Sequence, residues 1–364
     1  MRQNKQNQII YFFPDPQMGG VEKNFFLISK YLSSYFKENF LITNNKIYNK
    51  IDKRIKLITI NKLWSCISRR TLFIVCSFKL FLFCLKKKNS IIFSFQGNFY
   101  AIIVSILTSR KIIIRSNLSP QGWESSNIKK KVFRFLLSKA NTIIVNSEDF
   151  KREMKKIYGI DSTIIYNPIN EKEIIKLSIY KKKIEFFKKK TINLINIGRL
   201  VKQKNQIEIL IALSKLKLLI KNFRLLIIGY GPEKKSLINF INQKKLKTFV
   251  KIIFTKNPYK FIKMSDVFIL SSRYEGLPNV LLEAAFLNKY IISSNCKTGP
   301  KEIINKYKYG DLYELGNIKQ LTLKLKKLKK NKLNSNQKKF STNLKDFNSK
   351  KNLNKYLSVV KKLI

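Results

Sequence analysis

The chain has 364 residues, too many for one ordinary hydrophobic core and enough for two domains of common size. Lys+Arg 74 against Asp+Glu 21 gives a net charge of +53, which favours polyanionic partners: nucleic acid, an anionic membrane face or a phosphorylated substrate. Histidine is absent, and Cys66, Cys76, Cys84 and Cys296 show no paired spacing. Cys/His zinc sites, histidine general bases and Ser/His/Asp triads are thereby excluded, and a reducing cytoplasm is the simplest setting.

The basic residues are scattered rather than gathered with aromatics on one segment, so specific nucleic-acid recognition is not expected. Lys, Ile, Asn and Phe are abundant throughout, and a compositional bias accounts for the charge as well as a polyanion does. Nonspecific nucleic-acid binding is the alternative reading that +53 leaves open.

In chain order, "MRQNKQNQIIYFFP" has an apolar core too short for a signal peptide, and its "QIIYFFP" reads as a strand. A helix is expected over Val21–Phe36. Thr71–Leu85, "TLFIVCSFKLFLFCL", contains Lys79 and falls short of the ~20 apolar residues that a membrane span requires. It reads as a buried or interfacial helix whose basic flanks, Arg69, Arg70 and Lys86 to Lys88, suit an anionic membrane surface. Strands follow at "NSIIFSF", "KIIIRS" and "NTIIVNS", with a helix at about Ile128–Ser138.

A second series begins with the strand "TINLINIG" and continues with helix Gln206–Leu219, strand "FRLLIIG", helix Lys234–Lys244 and strands "VKIIF" and "DVFILSS". Helix Asn279–Leu287 and strand "YIISS" complete it. Short apolar runs alternating with helical patterns predict an α/β fold of two doubly wound, Rossmann-like domains. Asn167-Pro168 disfavours helix and marks the boundary. The expected domains are 1–170, joined by a C-terminal helix over 345–364, and 171–344. Tyr180–Lys190 is a charged run, and from about Lys319 the chain reads as a surface helix followed by a solvated loop.

Four segments can carry chemistry. "SSRYEGLPNVLLEAAF", Ser271 to Phe286, follows a strand, and ligands of open parallel sheets bind beyond the carboxyl ends of strands. Gly276 allows a tight turn, Leu277 follows it, and Pro278 suits a first helical turn. Glu283 can reach the same edge, where a carboxylate matches adjacent sugar hydroxyls, and Glu275 can accept from a second sugar. The bland alternative makes Glu275 a helix cap and Glu283 a solvated face residue. In "NIGRLVKQKNQIEIL", Arg199 and Lys204 lie on a loop after a strand, where two cations can hold and neutralise a diphosphate. In "LLIIGYGPEKKSL", Gly229 and Gly231 form either a turn beside a nucleotide base or a plain strand-to-helix turn. They do not make a dinucleotide fingerprint. In "PDPQMGGVEKNFF", Gly19 and Gly20 can bring a backbone amide to a phosphate, and Asp15 and Glu22 read as caps.

Together these strings resemble the family 4 retaining glycosyltransferases of GT-B architecture, two such domains facing a cleft. The likeness covers nearly the whole chain and is strongest from Thr191 to Ile304, where "SSRYEGLPNVLLEAAFLNKYIISSNCKTGPKEII" is similar to the family's signature with its E-x7-E pair. "GRLVKQKN", "IIGYGPE" and "MGGVEKNFFLISKYL" resemble its other motifs. The resemblance implies sugar transfer from a nucleotide diphosphate donor, a UDP-sugar, with retention and no required metal or other cofactor. It implies that Arg199 and Lys204 bind the diphosphate, Glu283 the ribose and Glu275 the donor sugar, with Gly20 approaching from the other domain. "FQGNFYAII" and "IIIRSNLSP" resemble the subgroup that builds envelope polysaccharides, which makes Asn98, Arg115 and Asn117 acceptor-side candidates. The expected acceptor is a saccharide, polyprenyl-linked or growing, at the cytoplasmic face of a membrane on which the protein is peripheral. An inactive relative is the other alternative. The chain departs from the family in lacking a histidine in its first half, where Gln96 or Asn98 would stand in. It also lacks a glycine near Phe254–Thr255.

Overall fold

The computed structural model describes residues 8–16, 19–44, 51–60, 68–117, 126–179, 184–218, 222–329, 333 and 341–364. Cys66, residues 180–183 of the charged run and most of the lysine-rich stretch after 329 lie outside these.

The chain divides into two units, Met1–Pro168 with Asp346–Ile364, and Ile169–Lys345. The first contains β1 (Gln8–Phe12), α1 (Gly20–Leu32), β2 (Glu38–Thr43), β3 (Ile55–Thr59), α2 (Arg69–Lys86), β4 (Ser90–Ser94) and α3 (Asn98–Thr108). It continues with β5 (Ile112–Arg115), α4 (Asn127–Ser138), β6 (Thr142–Val145), α5 (Glu148–Tyr158) and β7 (Thr163–Ile164). The seven strands lie in the order β3-β2-β1-β4-β5-β6-β7, and each pairing is parallel.

One face of this sheet is covered by α2 to α5, whose Leu72, Cys76, Leu80, Ile102, Leu137 and Met154 pack on Ile10, Ile92 and Ile114. On the other face α1 packs through Phe25, Ile28 and Leu32 on Ile9, Tyr11 and Phe93. Beside α1 lies the final helix, α13 (Ser349–Leu363), with Tyr356 and Val360 buried in the same cluster. Each large side chain so buried contributes about 2 kcal/mol. Because both faces are covered, β1 and β4 are buried at nearly every position instead of alternating.

The second unit contains α6 (Glu171–Ser178), β8 (Ile192–Ile197), α7 (Gln206–Leu216), β9 (Phe223–Ile228), α8 (Lys234–Gln243), β10 (Val250–Ile253) and α9 (Tyr259–Met264). Then come β11 (Val267–Leu270), α10 (Asn279–Phe286), β12 (Tyr290–Ser294), α11 (Pro300–Tyr307), β13 (Gly310–Tyr313) and α12 (Ile318–Lys326). Its six parallel strands run β10-β9-β8-β11-β12-β13. Two doubly wound α/β units are therefore present.

Some elements differ from expectation. The first helix stops at Leu32, where the Ser33 hydroxyl donates to the Lys30 carbonyl at 2.9 Å and the chain turns into β2. The segment after Pro168 is helical: Asn170 caps α6, its Oδ1 accepting from the Glu173 N–H at 3.2 Å. Pro278 is the residue before α10, with extended backbone, rather than part of its first turn. Thr71–Leu85 lies within α2, which is buried on one side only. Among the described residues no helix is long and apolar enough to cross a membrane.

Candidate active site

In the second sheet the chain starts at β8, winds outward through β9 and β10, and resumes on the opposite side of β8 with β11. The loops leaving β8 and β11 therefore diverge at neighbouring carboxyl ends, where an open parallel sheet leaves room for a ligand. The first loop carries Arg199 and Lys204, and the second carries Glu275 and Gly276.

The β8 loop is held from both sides. Toward β9, the Leu200 N–H donates to the Tyr230 carbonyl at 2.8 Å, and the Glu233 N–H donates to the Leu200 carbonyl at 3.0 Å. The approach is so close that a Cβ on Gly229 would stand 1.9 Å from the Gly198 carbonyl oxygen. One on Gly231, whose φ is +150°, would stand 2.3 Å from that of Leu200. These glycines thus form the seat of the loop that bears Arg199. Toward β11, the Arg273 N–H donates to the Gln203 carbonyl at 2.8 Å, the Gln203 amide donates to the Tyr274 carbonyl at 2.9 Å, and the Ser271 hydroxyl donates to the Lys204 carbonyl at 2.9 Å.

These bonds align the side chains. Lys204 ends a 3-10 turn, Lys202–Lys204, and its Nζ lies 2.5 Å from Glu275 Oε1. Both are largely shielded, at 17% and 8% side-chain exposure, so the ion pair is stronger than a surface one. Thr298 donates to the Glu275 carbonyl. Burial, and then the Glu275 charge, push the Cys296 thiol up to about 12, so it is no nucleophile. Arg199 is exposed beside the pair's loop, with its carbonyl accepting from the Gln206 amide at 3.1 Å.

Glu275 is not a cap, because α10 has no side-chain cap bond, and Glu283 is not a solvated residue. Gly276 and Leu277 are buried. Glu283, on α10, is 2% exposed, and its Oε1 accepts from the Tyr259 hydroxyl at 3.2 Å. Tyr230 and Phe254, both exposed at the ends of β9 and β10, stand edge to face with centroids 5.3 Å apart.

In the first sheet the winding reverses between β1 and β4. Gly19 precedes α1 and Gly20 begins it, both exposed. Asp15 is not a cap of α1. Its N–H donates to Gln96 Oε1 at 2.8 Å, while its carboxylate accepts from Asn44 at 3.3 Å and pairs with Arg69 at 3.3 Å. Asn98 is half-buried, accepting from Ser94 at 2.8 Å and donating to the Arg115 carbonyl at 3.2 Å. Asn117 donates to the Phe95 carbonyl at 2.9 Å.

Arg115 stands apart from the other acceptor-side candidates. Its side chain is fully buried, and the guanidinium donates to the Tyr356 hydroxyl at 2.9 Å, to Asn167 at 2.5 Å and to Asn117. With three of its five N–H donors directed at these partners and none of its surface exposed, Arg115 braces α13 and Asn167 rather than facing an acceptor.

Residues 179–347 match the family model of the glycosyl transferases group 1, a span that includes the Lys204–Glu275 pair and Glu283. Over that span the chain is similar to the group 1 glycosyl transferases. It is 31% identical over 271 residues to an uncharacterized glycosyltransferase of Methanocaldococcus jannaschii, covering 74% of this chain and 58% of that relative's length. It is 26% identical over 313 residues to the Campylobacter jejuni N-acetylgalactosamine-N,N'-diacetylbacillosaminyl-diphospho-undecaprenol 4-alpha-N-acetylgalactosaminyltransferase, covering 82% of this chain and 84% of the relative. Its fold matches that of Anabaena HepE in complex with UDP, with a TM-score of 0.75 at 14% identity over 98% of this chain and 100% of the other. That likeness shows the fold of two doubly wound units.

Three features of the site are new relative to the sequence reading. Tyr259 reaches Glu283 from a helix too short to show a period. Gln203, inside a run of cations, serves as a backbone clasp. The Tyr230–Phe254 pair joins the glycine turn to the strand end that lacks a glycine, and only the adjacency of β9 and β10 reveals it.

Proposed function

We propose that the chain is a group 1 glycosyl transferase that moves a sugar from a nucleotide diphosphate donor, UDP-linked, to a polyprenyl-linked or growing envelope saccharide at the cytoplasmic face of a membrane, with retention at the anomeric carbon. The observation that carries this reading is the Lys204–Glu275 pair at the switch point between β8 and β11. Arg199 and Lys204 hold the diphosphate and meet the charge that develops as its bond to the sugar breaks, which needs no metal. Glu275, oriented by Lys204, accepts from hydroxyls of the donor sugar, with Gly276 and Leu277 bordering it. Glu283, oriented by Tyr259, accepts from the ribose hydroxyls. Tyr230 and Phe254 offer an aromatic surface to the base, and Gly229 and Gly231 hold the loop against it. In the first unit Gly19 and Gly20 offer exposed backbone to a ligand, while Asn98 and Asn117 serve the acceptor.

The carboxylates do not exchange protons with the donor in this reading; they position it, and the departing phosphate takes the acceptor proton. Support for the donor class comes from the UDP complex of Anabaena HepE, and support for the acceptor from the Campylobacter relative's diphospho-undecaprenol substrate. The test is a thermal-shift screen against UDP, GDP, ADP and UDP-sugars without metal, on the wild type, Arg199→Ala and Glu283→Ala. Stabilisation by UDP that both substitutions abolish is expected. Equal shifts in all three proteins would sink the reading.

A further inference from the structure

The first unit has an outer surface that the transfer reaction leaves unused. In α2, Ile74, Phe78, Leu82 and Leu85 recur at helical spacing and are all exposed, Phe78 at 62%. They lie on the side opposite Leu72, Cys76, Leu80 and Cys84, which fill the core. A helix apolar on two faces is normally covered on both.

The neighbouring helices repeat the pattern. Uncharged α3 buries Ala101, Ile102 and Val104, yet leaves Ile103, Ile106 and Leu107 open to solvent, Leu107 at 66%. In α4, Ile128, Val132 and Phe135 form a third exposed row, Ile128 at 76%. The helices are laterally tied: Phe73 of α2 meets Tyr100 of α3 edge to face at 5.9 Å, and Phe99 of α3 stacks on Phe133 of α4 at 4.1 Å. The three rows therefore belong to one layer on one face of the sheet, too large an apolar surface for scattered chance exposure.

Charge identifies the occupant. From Arg69 to Lys139 the sequence has a single acidic residue, Glu124. Arg69, Arg70, Lys86 and Lys88 stand exposed at the two ends of α2, and Lys129, Lys130, Lys131 and Arg134 flank the row on α4. Lys139 lies over the Phe135 ring at 5.2 Å, a cation beside an exposed apolar group. A protein partner with a complementary apolar face would not require cations on every border. A bilayer with anionic headgroups does, because apolar side chains enter the acyl boundary while lysine and arginine stay at headgroup depth.

We propose that the outer face of α2, α3 and α4 is a docking surface for an anionic lipid bilayer, with Phe78, Leu107 and Phe135 entering it. The inference shares with the proposed transfer reaction only its membrane setting, and it goes beyond the single interfacial helix expected from Thr71–Leu85.

The experiment is sedimentation of the full chain with phosphatidylglycerol and phosphatidylcholine vesicles at about 0.1 M and about 1 M salt, where Debye screening separates charge from insertion. The comparison is with the triple variant Phe78→Ser/Leu107→Ser/Phe135→Ser. Since all three side chains are exposed, the variant is expected to melt like the wild type and to keep its UDP thermal shift. The wild type is expected to bind phosphatidylglycerol vesicles, to retain part of that binding at high salt and to ignore phosphatidylcholine, while the variant loses binding at least tenfold. Equal binding by both proteins would overturn the proposal in favour of diffuse charge attraction. A wild-type dimer that the variant dissolves would overturn it in favour of a second copy. Wild type that fails to bind vesicles yet is stabilised by UDP would overturn the docking surface and spare the transferase. Vesicle binding without any nucleotide effect would do the reverse.

Discussion

Lys204 Nζ and Glu275 Oε1 lie 2.5 Å apart although their residues are separated by 71 positions, and neither side chain is more than 17% exposed. Removing one member leaves the other charge shielded without its partner. Lys204→Met is expected to cost about 3 kcal/mol, the lower end for broken buried pairs because some solvent reaches this one. Glu275→Gln, which still accepts from Lys204, is expected to cost about 1 kcal/mol. Urea unfolding of each variant and of the double variant measures the coupling, and a double variant as unstable as the sum of the singles would deny it.

Glu283 and Tyr259 separate ribose recognition from diphosphate recognition. Glu283→Ala is expected to weaken UDP by ~100-fold while leaving pyrophosphate binding within a factor of about 3, since the charged hydrogen bonds lost are those to the ribose. Tyr259→Phe removes only the orienting hydroxyl and is expected to cost about fivefold for UDP. Calorimetric titration with both ligands decides it, and equal losses for UDP and pyrophosphate would assign Glu283 elsewhere.

Arg115 is expected to matter for stability and not for the acceptor. Arg115→Met strips hydrogen bonds from buried Tyr356 and Asn167 and should lower stability by about 3 kcal/mol. The acceptor KM of the surviving folded protein should not change. A raised KM with unchanged melting would restore Arg115 to the acceptor side.

Asp52 gives a pH signature. Hydrogen bonding from Arg54 holds its carboxyl down at about 2, and the same guanidinium reaches the Ser34 hydroxyl at 2.7 Å. A carboxylate depressed in the folded state contributes stability above its unfolded pKa of about 4 and loses it as pH falls through its folded value. With Arg54 half exposed, screening leaves about 1 kcal/mol. Asp52→Asn should therefore melt below the wild type at pH 7 and alongside it near pH 2. A gap independent of pH would point to lost packing instead.

The sheets were readable where covering helices force continuous apolar runs, as in Val267–Leu270 and residues 225–228. They were not readable at β2, where Glu38 and Asn39 leave a short apolar stretch, or at β3, an edge strand with one buried residue. The helix α3 hid because its apolar residues occupy every face and no period emerges.

By itself, then, the sequence determined two doubly wound α/β units and the order of the loops that leave their strands, because backbone period and turn chemistry are local properties. The tertiary structure alone decided that Lys204 meets Glu275, that Tyr259 orients Glu283, and that Arg115 is sealed under α13 while Phe78 and Phe135 remain outside. Those outcomes depend on strand order and on which helix covers which face, and a residue's own neighbours in sequence carry no record of either.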